Sequence, residues 1–165
     1  MISNAILRPA TPTDVPDVLR LIRALAEYER LLHEATATED DLRKALFGPL
    51  PRVHAVLAEI DRSPVGLALF YFTFSTFKAR PNVFLEDLFV DPAYRSAGIG
   101  LALMRCVAQR ALAENCRRIE WRVLNRNQPS IDFYQRIGSE PIDDWHTRQL
   151  GGDALVALAK GISYG

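Results

Sequence analysis

Apolar positions along this chain recur at two spacings. Val15, Val18, Leu19, Ile22 and Leu25 fall on one helical face, which predicts a helix capped by Thr13 or Asp14 and running to Tyr28, with Pro16 in its first turn. Thr38 to Asp41 supplies a cap and an acidic first turn, predicting a second helix to Phe47 that Gly48-Pro49 ends. A long helix is expected over 99–115. A short one follows Asn127, with Pro129 in its first turn, to about Arg136 and a stop at Gly138. Short apolar runs bounded by turn residues predict strands over 5–8, 53–60, 65–74, 83–90 and 118–124. Two final strands are expected over 141–145 and 154–159, joined across Gly151-Gly152. The order β-α-α-β-β-β-α-β-α-β-β predicts an α/β fold of mixed character: one mixed sheet with helices on both faces. No internal repeat, linker or low-complexity stretch divides 1–165, so a single domain is expected.

Composition narrows the class. A chain of 165 residues, 48% hydrophobic and 24% charged, has the material for a real core and is not of disordered type. Lys plus Arg equals Asp plus Glu at 20 each, so no global basic field recruits nucleic acid or an anionic membrane. The longest apolar run, starting at Val65, is far too short to span a bilayer. Met1-Ile2-Ser3-Asn4-Ala5 carries no basic, then apolar, leader, which makes the cytoplasm the expected location. Cys106 and Cys116 lie ten residues apart on one expected helix. That is about 15 Å along its axis, too far for a disulfide between them. Neither has neighbours at metal-ligand spacing, and no metal is expected.

The stretch Arg95-Ser96-Ala97-Gly98-Ile99-Gly100 joins the 83–90 strand to the long helix. A loop of this kind leaves backbone N–H groups free at the positive end of a helix dipole, which suits phosphate. Gly98 and Gly100 allow close approach, and Arg95 adds a cation. A dinucleotide fingerprint would need a third glycine where Leu103 stands, and no Gly-Lys-Ser/Thr of a P-loop occurs. Arg-x-x-Gly-x-Gly after a strand ending in Asp-Pro resembles instead the acetyl-CoA loop of the GNAT N-acetyltransferase superfamily.

Glu86-Asp87 interrupt the apolar run Phe84-Leu85-Glu86-Asp87-Leu88-Phe89-Val90. Adjacent strand residues point to opposite faces, and a central strand is buried on both. Each carboxylate then either opens into a polar cleft or carries a desolvation cost of several kcal/mol, roughly. The other explanation is a pair of structural carboxylates tied to a helix end or an arginine. Tyr134 beside Phe133 reads, from its residues alone, as a core aromatic.

The string from Phe84 to Gly100 closely resembles the diamine N-acetyltransferase family within the GNAT superfamily. So do Asn127-Gln128-Pro129-Ser130-Ile131-Asp132-Phe133-Tyr134, Arg8-Pro9-Ala10, Tyr28-Glu29 and Trp145, so that the resemblance covers nearly the whole chain. It implies the GNAT fold and acetyl transfer from acetyl-CoA to a small primary amine, directly and without a metal. It implies that the backbone of Leu88, Phe89 and Val90 pairs with the pantetheine arm, and that the amides of Arg95, Ser96, Ala97, Gly98, Ile99 and Gly100 hold the pyrophosphate. Asn127 and Ser130 would fix the cosubstrate near its thioester. Tyr134 would protonate the departing thiolate and Glu86 would accept the amine proton through water. Tyr28, Glu29, Glu86, Asp87, Asp144 and Trp145 would line the amine pocket. A homodimer is implied as well, with 141–159 pairing between subunits.

Two positions depart from the pattern. Ser96 stands where many relatives place glycine, which predicts a different loop angle. Ser75-Thr76-Phe77-Lys78 lacks the acidic residue of the polyamine branch and looks more like the thialysine branch. That favours a smaller amine or a basic amino acid over spermidine. Read without the resemblance, Tyr28-Glu29 is a solvated helix end, Asp143-Asp144 an acidic turn and Trp145 a packing residue. A protein-lysine or N-terminal acetyltransferase, and a non-catalytic acyl-CoA-binding module, are the competing functions.

Overall fold

A computed structural model describes residues 4–161. The chain divides into two compact units, one ending at Arg122 and the other beginning at Val123. The first holds a five-stranded sheet in simple sequence order: β1 (Ile6–Pro9), β2 (His54–Ile60), β3 (Ser63–Ser75), β4 (Arg80–Val90) and β5 (Ile119–Trp121). Neighbours run antiparallel, except β5, which is parallel to β4. The sheet is mixed, as expected. Asp61 and Arg62, at φ 48° and 66°, form the two-residue turn from β2 to β3. Two left-handed residues match the twist of the paired strands.

Helices cover both faces of this sheet. On one, α1 (Val15–Tyr28) and α2 (Glu39–Phe47) bury Val15, Val18, Leu21, Leu42 and Leu46 against Leu57, Leu67, Leu69 and Phe89. Thr38 caps α2, sharing reciprocal bonds with Asp41. On the other face lies α3 (Ile99–Ala113). Leu103 comes so near the sheet that a Cβ on Gly66 would stand 3.2 Å from its side chain. Leu57, Leu67 and Leu103 are fully buried, and each contributes roughly 2 kcal/mol by leaving water.

Asp14 opens α1, but its carboxylate turns away from the helix it precedes. It takes bonds from the Thr11 amide and hydroxyl, at 2.7 Å each, and two from Arg8 at 2.7 and 2.8 Å. Arg8 also donates to Glu59 on β2 at 2.8 Å. One guanidinium therefore ties the first strand, the turn into α1 and the second strand together. It also holds the Asp14 carboxyl well below the usual carboxylate range.

The second unit contains α4 (Gln128–Arg136) and α5 (Gly152–Ala159). Asn127 caps α4 and the left-handed Gly138, φ 88°, follows its end. Here the pattern misleads in two places. Residues 154–159, expected as a strand, lie in helix α5, and 141–145 form no strand. The run Asp153-Ala-Leu-Val-Ala-Leu-Ala-Lys160 is rich in the best helix formers, with an acid first and a base last. A short apolar run does not distinguish helix from strand by itself. The strand expected over 118–124 stops at Trp121, just where β4 ceases to be regular. Among the described residues, no helix is long and apolar enough to cross a membrane.

Replacing Arg8 with alanine leaves the buried Asp14 carboxylate with its Thr11 bonds but without its cation. The expected loss is about 2 kcal/mol at pH 7, read from urea midpoints. Asp14's contribution is present above the ordinary carboxylate pKa and fades as pH falls through its lowered one. The variant and parent should therefore converge in strong acid. A loss under about 0.5 kcal/mol at pH 7 would reduce the network to surface decoration.

Candidate active site

The irregularity of β4 creates the site. Leu69 of β3 faces Asp87, yet the next residue, Phe70, faces Leu85. Glu86 is the extra residue of a β-bulge. Directly paired residues share a face, so Asp87 joins Leu69 and Phe89 on the side covered by α1. Tyr71, two residues beyond Leu69, lies on that side too. Its hydroxyl donates to Glu86 Oε2 at 3.3 Å. The expectation that Glu86 and Asp87 point to opposite faces is thus corrected: the bulge brings both carboxylates to one side.

Their environments differ. The Glu86 side chain is 42% exposed, with Arg122 Nη2 at 3.9 Å from Oε1. Asp87 is half-buried, and its pKa rises from 3.8 to about 6. Desolvation is the main cause, and the neighbouring Glu86 and Glu29 carboxylates add to it. Glu29 is the residue that ends α1. The two acids therefore resolve the alternatives seen in the sequence separately, one open to solvent and one carrying the desolvation cost.

Aromatic rings frame this group. Tyr71 stacks on Phe84 with centroids 5.3 Å apart, and the Arg122 guanidinium lies 5.4 Å from the Phe84 centroid. Burial and Glu86 raise the Tyr71 pKa. Neither Tyr71 nor Arg122 is legible as a site residue in the sequence. Tyr71 sits in an unbroken apolar strand, and only the bulge opposite it brings its hydroxyl to a carboxylate.

Beyond the bulge, β5 pairs with β4 only at Val83, Phe84 and Leu85. Among the described residues, Leu88, Phe89 and Val90 have no strand partner on that flank. The chain then turns through a 3-10 segment, Pro92–Tyr94, into the Arg95–Gly100 loop. Ser96 and Gly98 are left-handed, at φ 63° and 80°. Ser96 thus takes the angle a glycine would take, contrary to the altered loop expected of it. Left-handed residues in such a loop suit the turning of successive N–H groups toward one concavity. No acidic residue stands in the first turn of α3, and nothing lies within 4 Å of a Cβ built on Gly98. The loop suits a bulky anion.

Arg95, expected to add a positive charge to the loop, has its side chain engaged. Its Nε donates to the Val90 carbonyl at 2.9 Å, and its guanidinium lies 4.4 Å from the Tyr28 ring centroid. Tyr28 is therefore joined to the anion loop through this stack. Within the second unit, Asn127 Oδ1 accepts from the Ser130 amide at 3.4 Å, and the Phe133 and Tyr134 rings lie 5.3 Å apart. Asp144 and Trp145 sit in an irregular segment, both exposed, Trp145 at 76%.

Comparison with known proteins identifies the family and the fold. The model of the acetyltransferase (GNAT) family matches residues 19–138. The thialysine N-epsilon-acetyltransferase of Bos taurus is 38% identical, over 93% of this chain and 96% of the bovine protein. The L-ornithine N5-acetyltransferase of Arabidopsis thaliana is 31% identical, over 93% of this chain and 87% of the plant protein. Among solved structures, an integron cassette protein from the V. cholerae mobile metagenome superposes with a TM-score of 0.81 at 26% identity. That match covers 96% of this chain and 99% of the other.

The raised Asp87 pKa has a measurable consequence. Folding raises it above the unfolded value, so stability falls as pH climbs from about 4 through about 6. A displacement of roughly two pH units is worth about 3 kcal/mol. Asp87→Asn should match the parent at pH 4 and exceed it by about that amount at pH 8, in denaturant titrations. Equal stabilities at pH 8 would place Asp87 in water.

Proposed function

This chain belongs to the acetyltransferase (GNAT) family and is an acetyl-CoA-dependent N-acetyltransferase, and from that premise we propose that it acetylates a primary amine of a small basic molecule by direct transfer. The class spans a thialysine-like amino acid, a diamine or a polyamine, and the shorter members are favoured. The observation that carries this proposal is the meeting of Glu86 and Asp87 on one side of the sheet, at the strand that runs into the anion loop.

The chemistry follows from charge. A primary alkyl amine has a pKa near 10.4, taking lysine as the model, and reaches the protein as ammonium. Asp87, Glu86 and Glu29 attract that cation. Only the neutral amine attacks an acyl carbon, so a proton must leave; Glu86, open to solvent, accepts it through a water. Acetyl-CoA supplies the acyl carbon as an activated thioester. The nitrogen–carbon bond forms, the carbon–sulfur bond breaks, and the Tyr134 hydroxyl protonates the departing sulfur. The loop amides of Ser96 to Gly100 hold the pyrophosphate. The unladdered backbone at Leu88, Phe89 and Val90 pairs with the pantetheine amides, as an added strand would. Asn127 and Ser130 steady the arm, and Tyr28, Asp144 and Trp145 border the amine. No step in this scheme requires a metal, and the chain works as one acetyltransferase domain over 1–165.

A homodimer belongs to the same proposal. In α5, Leu155, Val156 and Leu158 are all at least half exposed, beside the exposed Leu150 and Trp145 in sequence. A second copy would remove this apolar surface from water. Sedimentation velocity should give the mass of two chains, and Leu155→Glu with Leu158→Glu should return one. A monomeric parent would remove the dimer from the proposal.

Transfer is tested by CoA release with lysine, thialysine, ornithine, putrescine, spermidine, spermine and a lysine-containing peptide. Turnover is expected for the short amines, with spermine poorer. Tyr134→Phe should keep CoA affinity and lose about 100-fold or more in kcat. Unchanged turnover would take Tyr134 out of the mechanism; turnover of the peptide alone would favour a protein substrate.

A further inference from the structure

One charged group beside the bulge has no part in the scheme above. Arg122 follows directly on β5, whose Glu120 pairs with Phe84 of β4. Two residues on, Arg122 lies on the same face as Phe84 and Tyr71. Its guanidinium rests 5.4 Å from the Phe84 centroid, and Phe84 is itself stacked on Tyr71. The ring attracts the cation at this distance and biases it toward the Phe84 face. Its contact with Glu86, at 3.9 Å, is too long for a hydrogen bond, and the side chain is 65% exposed. The guanidinium stays beside Phe84 and Glu86 with its donors facing solvent.

We propose that Arg122 is a specificity residue that grips the carboxylate of an amino-acid acceptor. The proposal rests on the acceptor amine being deprotonated at Glu86, and it selects one class among the amines named above. An acidic cluster alone would favour a pure polycation. Glu86, Asp87 and Glu29 with Arg122 beside Glu86 instead present both signs of charge, which suits a zwitterion. A water between Glu86 and the amine sets the nitrogen roughly 5.5 Å from the carboxylate, at two hydrogen-bond lengths. A short aliphatic chain can then bring the α-carboxylate back to the guanidinium. An arginine fork pairs with a carboxylate through two parallel bonds, a geometry lysine cannot supply. A diamine offers Arg122 only a second positive charge.

The test compares molecules that differ by that carboxylate alone: lysine with 1,5-diaminopentane, and ornithine with 1,4-diaminobutane. The parent should prefer each amino acid in kcat/KM. Arg122→Leu should raise KM for lysine and ornithine about 10- to 100-fold with kcat little changed, and should raise neither diamine's KM. Arg122→Lys should recover only part of the loss. A purely structural Arg122 would shift all four acceptors alike, and that result overturns the proposal. So does a parent that turns over diamines and amino acids equally, which leaves the acetyltransfer scheme intact. A parent inactive on all four, yet active on the peptide, overturns both.

Discussion

Everything near the site depends on one extra residue in a strand. The bulge at Glu86 shifts the register of β4 by one position against β3. A regular strand would alternate Glu86 and Asp87 across the sheet, burying one of them under α3 among Leu103, Met104 and Val107. The bulge spares the core that charge and collects the acids on one side. It also coincides with the end of the β4–β5 ladder, because a bulged strand bends and twists away from its neighbour. The open backbone at Leu88 to Val90 and the acidic cluster therefore have one origin.

The sequence made the frame legible wherever local rules and tertiary packing agree. Thr38 and Asp41 announce α2, Asn127 and Pro129 announce α4, and Val15, Val18 and Leu19 mark the buried face of α1, to which the structure adds Leu21. The position of the Arg95–Gly100 loop is legible because its signals are local: a strand, two glycines and a helix. The bulge was not, since it is a relation between two strands and leaves no mark on either. Tyr71 and Arg122 were hidden for the same reason. The final helix was misread because Ala-Leu-Val-Ala-Leu fits both periods, and no partner strand exists among the described residues to decide for β.

The stack of Arg95 on Tyr28 shows how two regions are held together without a shared core. Tyr28 is in the last turn of α1 and Arg95 begins the loop before α3. A cation over a ring in a partly exposed setting is worth about 1 kcal/mol. That is enough to order both partners, yet small beside the binding energy of a large anion. The junction is therefore adjustable, and a movement of the loop would be felt at the end of α1 beside Glu29.

Asp87 shows a different kind of economy. A half-buried acid near two others, with its pKa raised, is expected to make the folded chain less stable at neutral pH than the same chain with an uncharged residue there. Selection for thermal robustness alone would discard it early, because asparagine fills nearly the same space without the charge. Consensus or machine-guided stabilisation of this protein would meet the same temptation. In the proposed scheme, the residue most worth protecting from an engineer is one that a stability score would rank among the first to change.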